Sequence, residues 1–119
     1  MRYGGARGGQ RAIVLTDETF SSAVDAATVA LVDFWAPWCV PCRMVGHAVE
    51  ALAQDAGDRL LVARLNVDEN PHTPKRLGVE NLPTLLVFRD GRVVDVLIGA
   101  VSKPSLDRFI RRWIESVAV

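Results

Sequence analysis

Cys39 and Cys42 stand three positions apart in the stretch DFWAPWCVPCRM, which runs from Asp33 to Met44, and they are the chain's two cysteines. Three chemistries fit such a pair: a dithiol–disulfide couple, half of a structural zinc site, or small apolar filler in a core. Structural zinc needs four ligands, and His47 and His72 are the only histidines available to complete a set. His47 follows Cys42 by five residues, about 140° round a helix, a poor position from which to share a metal. Filler fits badly too, because the pair follows the end of a buried-strand pattern, where open α/β sheets usually carry their sites.

A redox couple has a physical mechanism. If Cys39 opens a helix, the unsatisfied N–H groups and the helix dipole favour negative charge on its sulfur. The thiolate fraction rises, and thiolate is the nucleophile. Cys42, one turn on, lies on nearly the same face and can resolve a mixed disulfide formed at Cys39. Pro41, in the first turn, has no N–H to lose and stiffens the connection. On this reading Cys39 is the helix-terminal, exposed and faster-reacting thiol. Asp33 is the other chemical oddity, a carboxylate inside the apolar run VALVDFW. Desolvation there raises its pKa toward neutrality, which suits acid–base work; the bland alternative is a side chain turned to solvent.

The elements that must position these groups are readable from pattern. Ala12 to Leu15 is a short apolar strand. Thr16 or Asp17 is placed to cap a helix with Phe20, Val24 and Ala27 on its apolar side. Val29 to Trp35 is nearly continuous in apolar, β-branched and aromatic residues, the mark of a strand buried on both faces; Pro37 ends it. A helix is expected from Cys39 to about Ala56, then a strand from Arg59 to Val67. A short helix starts near Pro71 and Gly78 is its C-cap. PTLLVFRDGRVVDVLIG reads as a hairpin turning at Asp90-Gly91, so that Gly91 serves turn geometry. Past Ser102 and Pro104, a last amphipathic helix carries Leu106, Phe109, Ile110, Trp113 and Ile114 on one face. The order β-α-β-α-β-α-β-β-α implies a mixed central sheet with helices on both faces, an α/β fold.

The bulk numbers bound the rest. The 119 residues make one domain with a real core. Half the residues are apolar (50%), 24% are charged and the formal net charge is zero, so neither nucleic acid nor an anionic membrane is an expected target. No stretch approaches the roughly 18 apolar residues of a membrane span. MRYGGARGGQR lacks an apolar segment after its positive charges, so no signal peptide is expected, and residues 1–11 read as a flexible glycine-rich tail before a domain at 12–119. Two cysteines without an export signal argue against a disulfide scaffold. Monomer is the default state.

With these residues in view, the chain after the tail resembles the thioredoxin family, through LVDFWAPWCVPCRM, VARLNVDENP, LGVENLPTLLVFRDG and IGAVSK. The resemblance implies a thioredoxin fold, a mixed five-stranded sheet flanked by about four helices. It implies a cytoplasmic protein-disulfide reductase with no bound cofactor or metal, recharged by a thioredoxin reductase that uses NADPH, and acting on disulfide-containing client proteins. Carried over by position, Cys39 is the attacking thiol, Cys42 the resolving thiol, and Asp33 the buried base acting through water. Leu82-Pro83 matches the family's cis-proline loop; cis X-Pro is a minority state, and the resemblance alone raises it here. Trp38, Asn81, Leu82, Pro83, Ile98, Gly99 and Ala100 match a shallow groove for extended protein segments. Trp35 is expected to pack partly in the core, Trp38 to be partly exposed.

Three positions depart from the family pattern. Val40 replaces the usual glycine between the cysteines, where residue type, together with Pro41, tunes the potential. Arg64 replaces a lysine near the buried aspartate; it stays charged and, if it faces Asp33, favours the ionised carboxylate. Gly46-His47 stands where a proline usually kinks the active-site helix, so that kink should be lost; His47 itself reads as an exposed or partly packed helix residue. Two other functions remain open on the sequence: an oxidase or isomerase module running the same chemistry in the opposite direction, and a non-catalytic binding module that uses the groove without the thiols.

Overall fold

The computed structural model describes residues 10–118. Most of the expected tail, residues 1–9, lies outside them. The elements are β1 (Ile13–Leu15), α1 (Phe20–Ala26), β2 (Val29–Trp35), α2 (Val40–Ala56), a 3-10 turn (Gly57–Arg59), β3 (Leu61–Asn66), α3 (His72–Leu77), β4 (Thr84–Arg89), β5 (Arg92–Ile98) and α4 (Lys103–Ala118). The five strands form one mixed sheet in the order β1-β3-β2-β4-β5. β3 runs parallel to both β1 and β2, while β4 is antiparallel to β2 and to β5.

The apolar run of β2 takes the central position, and side-chain alternation sends its residues to two different cores. Val29 and Leu31 join Val45, Val49 and Leu52 of α2 and Leu106 and Ile110 of α4 on one face. Ala30, Val32 and Phe34 join Phe20 and Val24 of α1 on the other. Asp33 falls in the odd register, so the strand's own period aims it at the α2 side. Burial on both faces is what the uninterrupted run in the sequence encodes.

The hairpin and the last helix stand as read. Asp90 (φ 51°) and Gly91 (φ 81°) both take the left-handed conformation that a two-residue primed turn requires. Gly78 ends α3 at φ 76°, its N–H donating to the Lys75 carbonyl. β1 starts one residue late, at Ile13, and β3 ends one early, at Asn66. β3 begins at Leu61 instead of Arg59, because the 3-10 turn takes up residues 57–59. The expected capping of α1 by Thr16 or Asp17 is also corrected. The helix starts at Phe20, with Thr19 at its N-cap position and no side-chain cap bond. Thr16 and Thr19 instead exchange backbone-to-hydroxyl bonds. The Asp17 carboxylate caps a different helix, accepting from the His72 and Thr73 backbone N–H groups and the Thr73 hydroxyl at the start of α3. Local sequence shows a capping residue but not which helix it serves.

Candidate active site

β2 ends at Trp35, and Ala36, Pro37 and Trp38 turn the chain into α2. The turn closes through the Cys39 N–H, which donates to the Ala36 carbonyl at 3.1 Å. Cys39 is the N-cap residue of α2, with Val40 and Pro41 as the first two helical positions. Cys39 and Cys42 are joined by a disulfide, their Cα atoms 5.3 Å apart. One helical turn supplies that spacing, and the N-cap position places one sulfur at the positive end of a 17-residue helix.

The expectation of an exposed Cys39 is corrected in this oxidised form. Cys39 is 5% exposed and Cys42 1%. Ala36 forms a small buried cluster with the two cysteines, and Trp35, Val67 and Leu82 pack against it. The order of exposure is the expected one, but both sulfurs sit in a lined recess. Exposed around it are Trp38, at 68%, and Val40 and Met44. The Trp38 indole N–H donates to Asp68 Oδ1 at 3.3 Å.

Leu82-Pro83 is a cis peptide. The Thr84 hydroxyl donates to the Asn81 carbonyl, and the Gly99 N–H donates to the Pro83 carbonyl at 2.9 Å. The first bond closes the loop on itself; the second, with the pairing of Thr84 and Ile98, ties it to the end of β5, so Asn81, Leu82 and Pro83 come beside Ile98, Gly99 and Ala100. Trp38, Asn81 and Leu82 line a cleft of about 550 Å³ whose other wall is α3 and the segment after it, with Pro74, Lys75, Val79 and Glu80. That second wall is absent from the sequence reading. The proline and glycine that bracket α3 mark a turn, not a groove.

Asp33, two residues before the end of β2, is fully buried. Its Oδ2 accepts from Arg64 Nε at 2.9 Å, and its Oδ1 is buried without a hydrogen-bond partner among the described residues. Burial drives the Asp33 pKa up; the charge and hydrogen bond of Arg64 hold it down, Glu50 adds a smaller upward push, and the result is about 6. The solvent-facing alternative for Asp33 is therefore excluded. Glu50 was not singled out in the sequence, although it lies two helical turns beyond Cys42 on the same stripe as Gly46. Together with Cys42, Gly46, His47 and Arg64 it lines a second cleft, of about 500 Å³, on the α2 side.

A matching family model decides the affiliation: the thioredoxin model, described as "Thioredoxin", covers residues 11–112. The chain belongs to the thioredoxin family. It is 46% identical over 96 residues to thioredoxin 1 of Synechococcus elongatus, spanning 80% of this chain and 90% of the relative. The thioredoxin of Listeria monocytogenes is 43% identical over 100 residues, 84% and 96% of the two chains. That of Bacillus subtilis is 42% identical over 97 residues, 82% and 92%. With the Cys39–Cys42 disulfide at its site, this thioredoxin-family protein is a thiol–disulfide oxidoreductase. Among the described residues no cluster of three or more His, Cys, Asp or Glu side chains is placed to hold a metal ion. Nor is any described helix long and apolar enough to cross a membrane.

Proposed function

We propose that the chain reduces disulfides of client proteins by two-step dithiol exchange. The observation that carries this reading is the Cys39–Cys42 disulfide, which packs against Leu82 of the 550 Å³ cleft and shares the 500 Å³ cleft with Arg64, the partner of a buried carboxylate whose pKa is near 6. In the reduced protein the Cys39 thiolate attacks one sulfur of the client disulfide. A Cys39–client bond forms and the other client sulfur leaves as thiolate. Asp33 then accepts the Cys42 proton through water, and the Cys42 thiolate attacks the Cys39 sulfur. The Cys39–Cys42 disulfide forms and the second client sulfur is expelled. The client gains two electrons and two protons, and the disulfide form described above is the product state.

Trp38, Asn81, Leu82, Pro83, Ile98, Gly99 and Ala100 hold the client segment in an extended conformation. The apolar side chains among them, and the outer edge of β5 as the last strand of the sheet, suit a strand-like partner. Val40 and Pro41 set the potential of the couple through the first turn of α2. Residues 12–119 form the working domain. A thioredoxin reductase drawing on NADPH returns the disulfide to the dithiol in the cytosol, and the protein works as a monomer.

The test is insulin-disulfide reduction coupled to a thioredoxin reductase with NADPH. Turnover that disappears in Cys39→Ser/Cys42→Ser is expected; no turnover with the intact protein would sink the reading. A reduction potential of roughly −270 mV is expected of a reductant, and one of roughly −120 to −180 mV would reassign the chain to oxidation or isomerisation.

A further inference from the structure

Gly46 stands in the interior of α2, where glycine costs about 1 kcal/mol relative to alanine. Its backbone does not use glycine's freedom: among the described residues the glycines with positive φ are Gly57, Gly78, Gly91 and Gly99. Space explains it instead. A Cβ at position 46 would lie 2.7 Å from Arg64 Nη2, 3.1 Å from Cζ and 3.2 Å from Nη1. The guanidinium thus occupies the volume that any side chain at 46 would take. It also lies over the Trp35 ring, 4.8 Å from the centroid, while its Nε bonds Asp33.

We propose that Gly46 is a positioning residue: by omitting a side chain it opens the place on α2 that Arg64 needs in order to bond the Asp33 carboxylate. The two unusual choices, arginine at 64 and glycine at 46, are then one device. A guanidinium is planar and moves as a unit, so displacing its Cζ, Nη1 and Nη2 displaces the Nε bond too. The close contact is with the end of a flexible side chain, so a methyl at 46 shifts Arg64 and leaves the helix intact. The other groups around Asp33 are few. Glu50 of α2 acts on it from one side; Arg11, Arg43 and His47 line the same cleft as Arg64, but the charges that act on Asp33 are those of Arg64 and Glu50. Leu85 of β4 and Leu106 and Ile110 of α4 make that core face apolar. Arg64 is therefore the cation that holds Asp33 toward its charged form.

The inference rests on Asp33 being the proton acceptor for Cys42, and its test separates the two. The Asp33 carboxyl titration, read by carbon NMR, and the pH profile of insulin reduction are compared in the wild type, Gly46→Ala, Arg64→Lys and the double variant. Gly46→Ala should fold and should raise the Asp33 midpoint by about one pH unit. The rise in exchange rate with pH should move by the same amount. In the Arg64→Lys background the same glycine substitution should move the midpoint little, because an ammonium on a slim stem does not need the space. An unchanged midpoint in Gly46→Ala, or an equal shift in both backgrounds, would overturn the inference. A midpoint that moves while the rate profile stays put supports the positioning by Gly46 and removes the base role of Asp33.

Discussion

Asp33 and Arg64 are direct register partners on the adjacent parallel strands β2 and β3, and the Arg64 Nε donates to Asp33 Oδ2 at 2.9 Å. The pairing leaves the carboxylate half satisfied: Oδ1 has no partner among the described residues. Arg64 keeps 20% of its side chain exposed, whereas Asp33 has none exposed. The cation reaches in from the solvent side while the anion bears the full desolvation. That asymmetry explains why Asp33 titrates near 6 even with an arginine bonded to it.

Asp33→Asn should slow insulin reduction at neutral pH while the protein stays folded. An unchanged rate would remove the base role.

The same carboxyl makes stability depend on pH. Its folded pKa, about 6, lies above the ordinary 3.8. The folded state therefore binds the proton more tightly, and the associated stability is complete below about pH 3.8 and lost as pH rises through about 6. At pH 7 Asp33→Asn should be more stable than the wild type by roughly 3 kcal/mol at most, with the difference vanishing near pH 3.5. Denaturant unfolding at the two pH values checks this, and an equal difference at both would refute it.

Cys39 should alkylate faster than Cys42 in the reduced protein at neutral pH. It is the N-cap residue of α2 and the less buried of the two, and its thiolate is favoured by the helix end. Mass-spectrometric mapping after brief iodoacetamide treatment would read the ratio. Equal rates would count against the assigned roles, and a faster Cys42 would reverse them.

Trp38→Ala should weaken reduction of a protein client by about fivefold or more through KM, as loss of an aromatic anchor does. Turnover of a small disulfide should be unaffected. Because Trp38 is largely exposed, its thermal stability should stay near that of the wild type; a large fall in melting temperature would show a structural role instead.

Asp17→Ala should cost about 1 kcal/mol, the usual loss for a helix cap, although Asp17 is remote in sequence from α3. Partial burial raises the Asp17 pKa, but the Thr73 hydroxyl and the Thr73 and His72 N–H groups outweigh it, and the net shift is downward. Its contribution is thus present above pH 3.8 and lost as pH falls through the lowered value. Amide exchange across residues 72–77 should rise in this variant, and unchanged protection there would show that the cap is not energetically used.

Much of this protein is local, and the sequence determines it. The near-continuous apolarity of VALVDFW, rich in β-branched and aromatic residues, defines a strand buried on both faces. Asp90-Gly91 dictates the hairpin because two left-handed residues in a row are costly for most other pairs. The Cys39–Cys42 spacing follows from one helical turn. Element order and the redox couple were legible for these reasons. Relations between distant segments were not. Asp17 caps a helix 55 residues away, and α3 forms the far wall of the cleft beside Trp38, Asn81 and Leu82. Both depend on where chain crossings bring segments together, which no residue pattern records. The departures at 46 and 64 were each visible in the sequence as a single change. Only the tertiary structure joined them, because sheet register sets Arg64 beside Asp33 and helix packing sets Gly46 against the same guanidinium. Close packing then allows one occupant of that space, a side chain at 46 or the arginine.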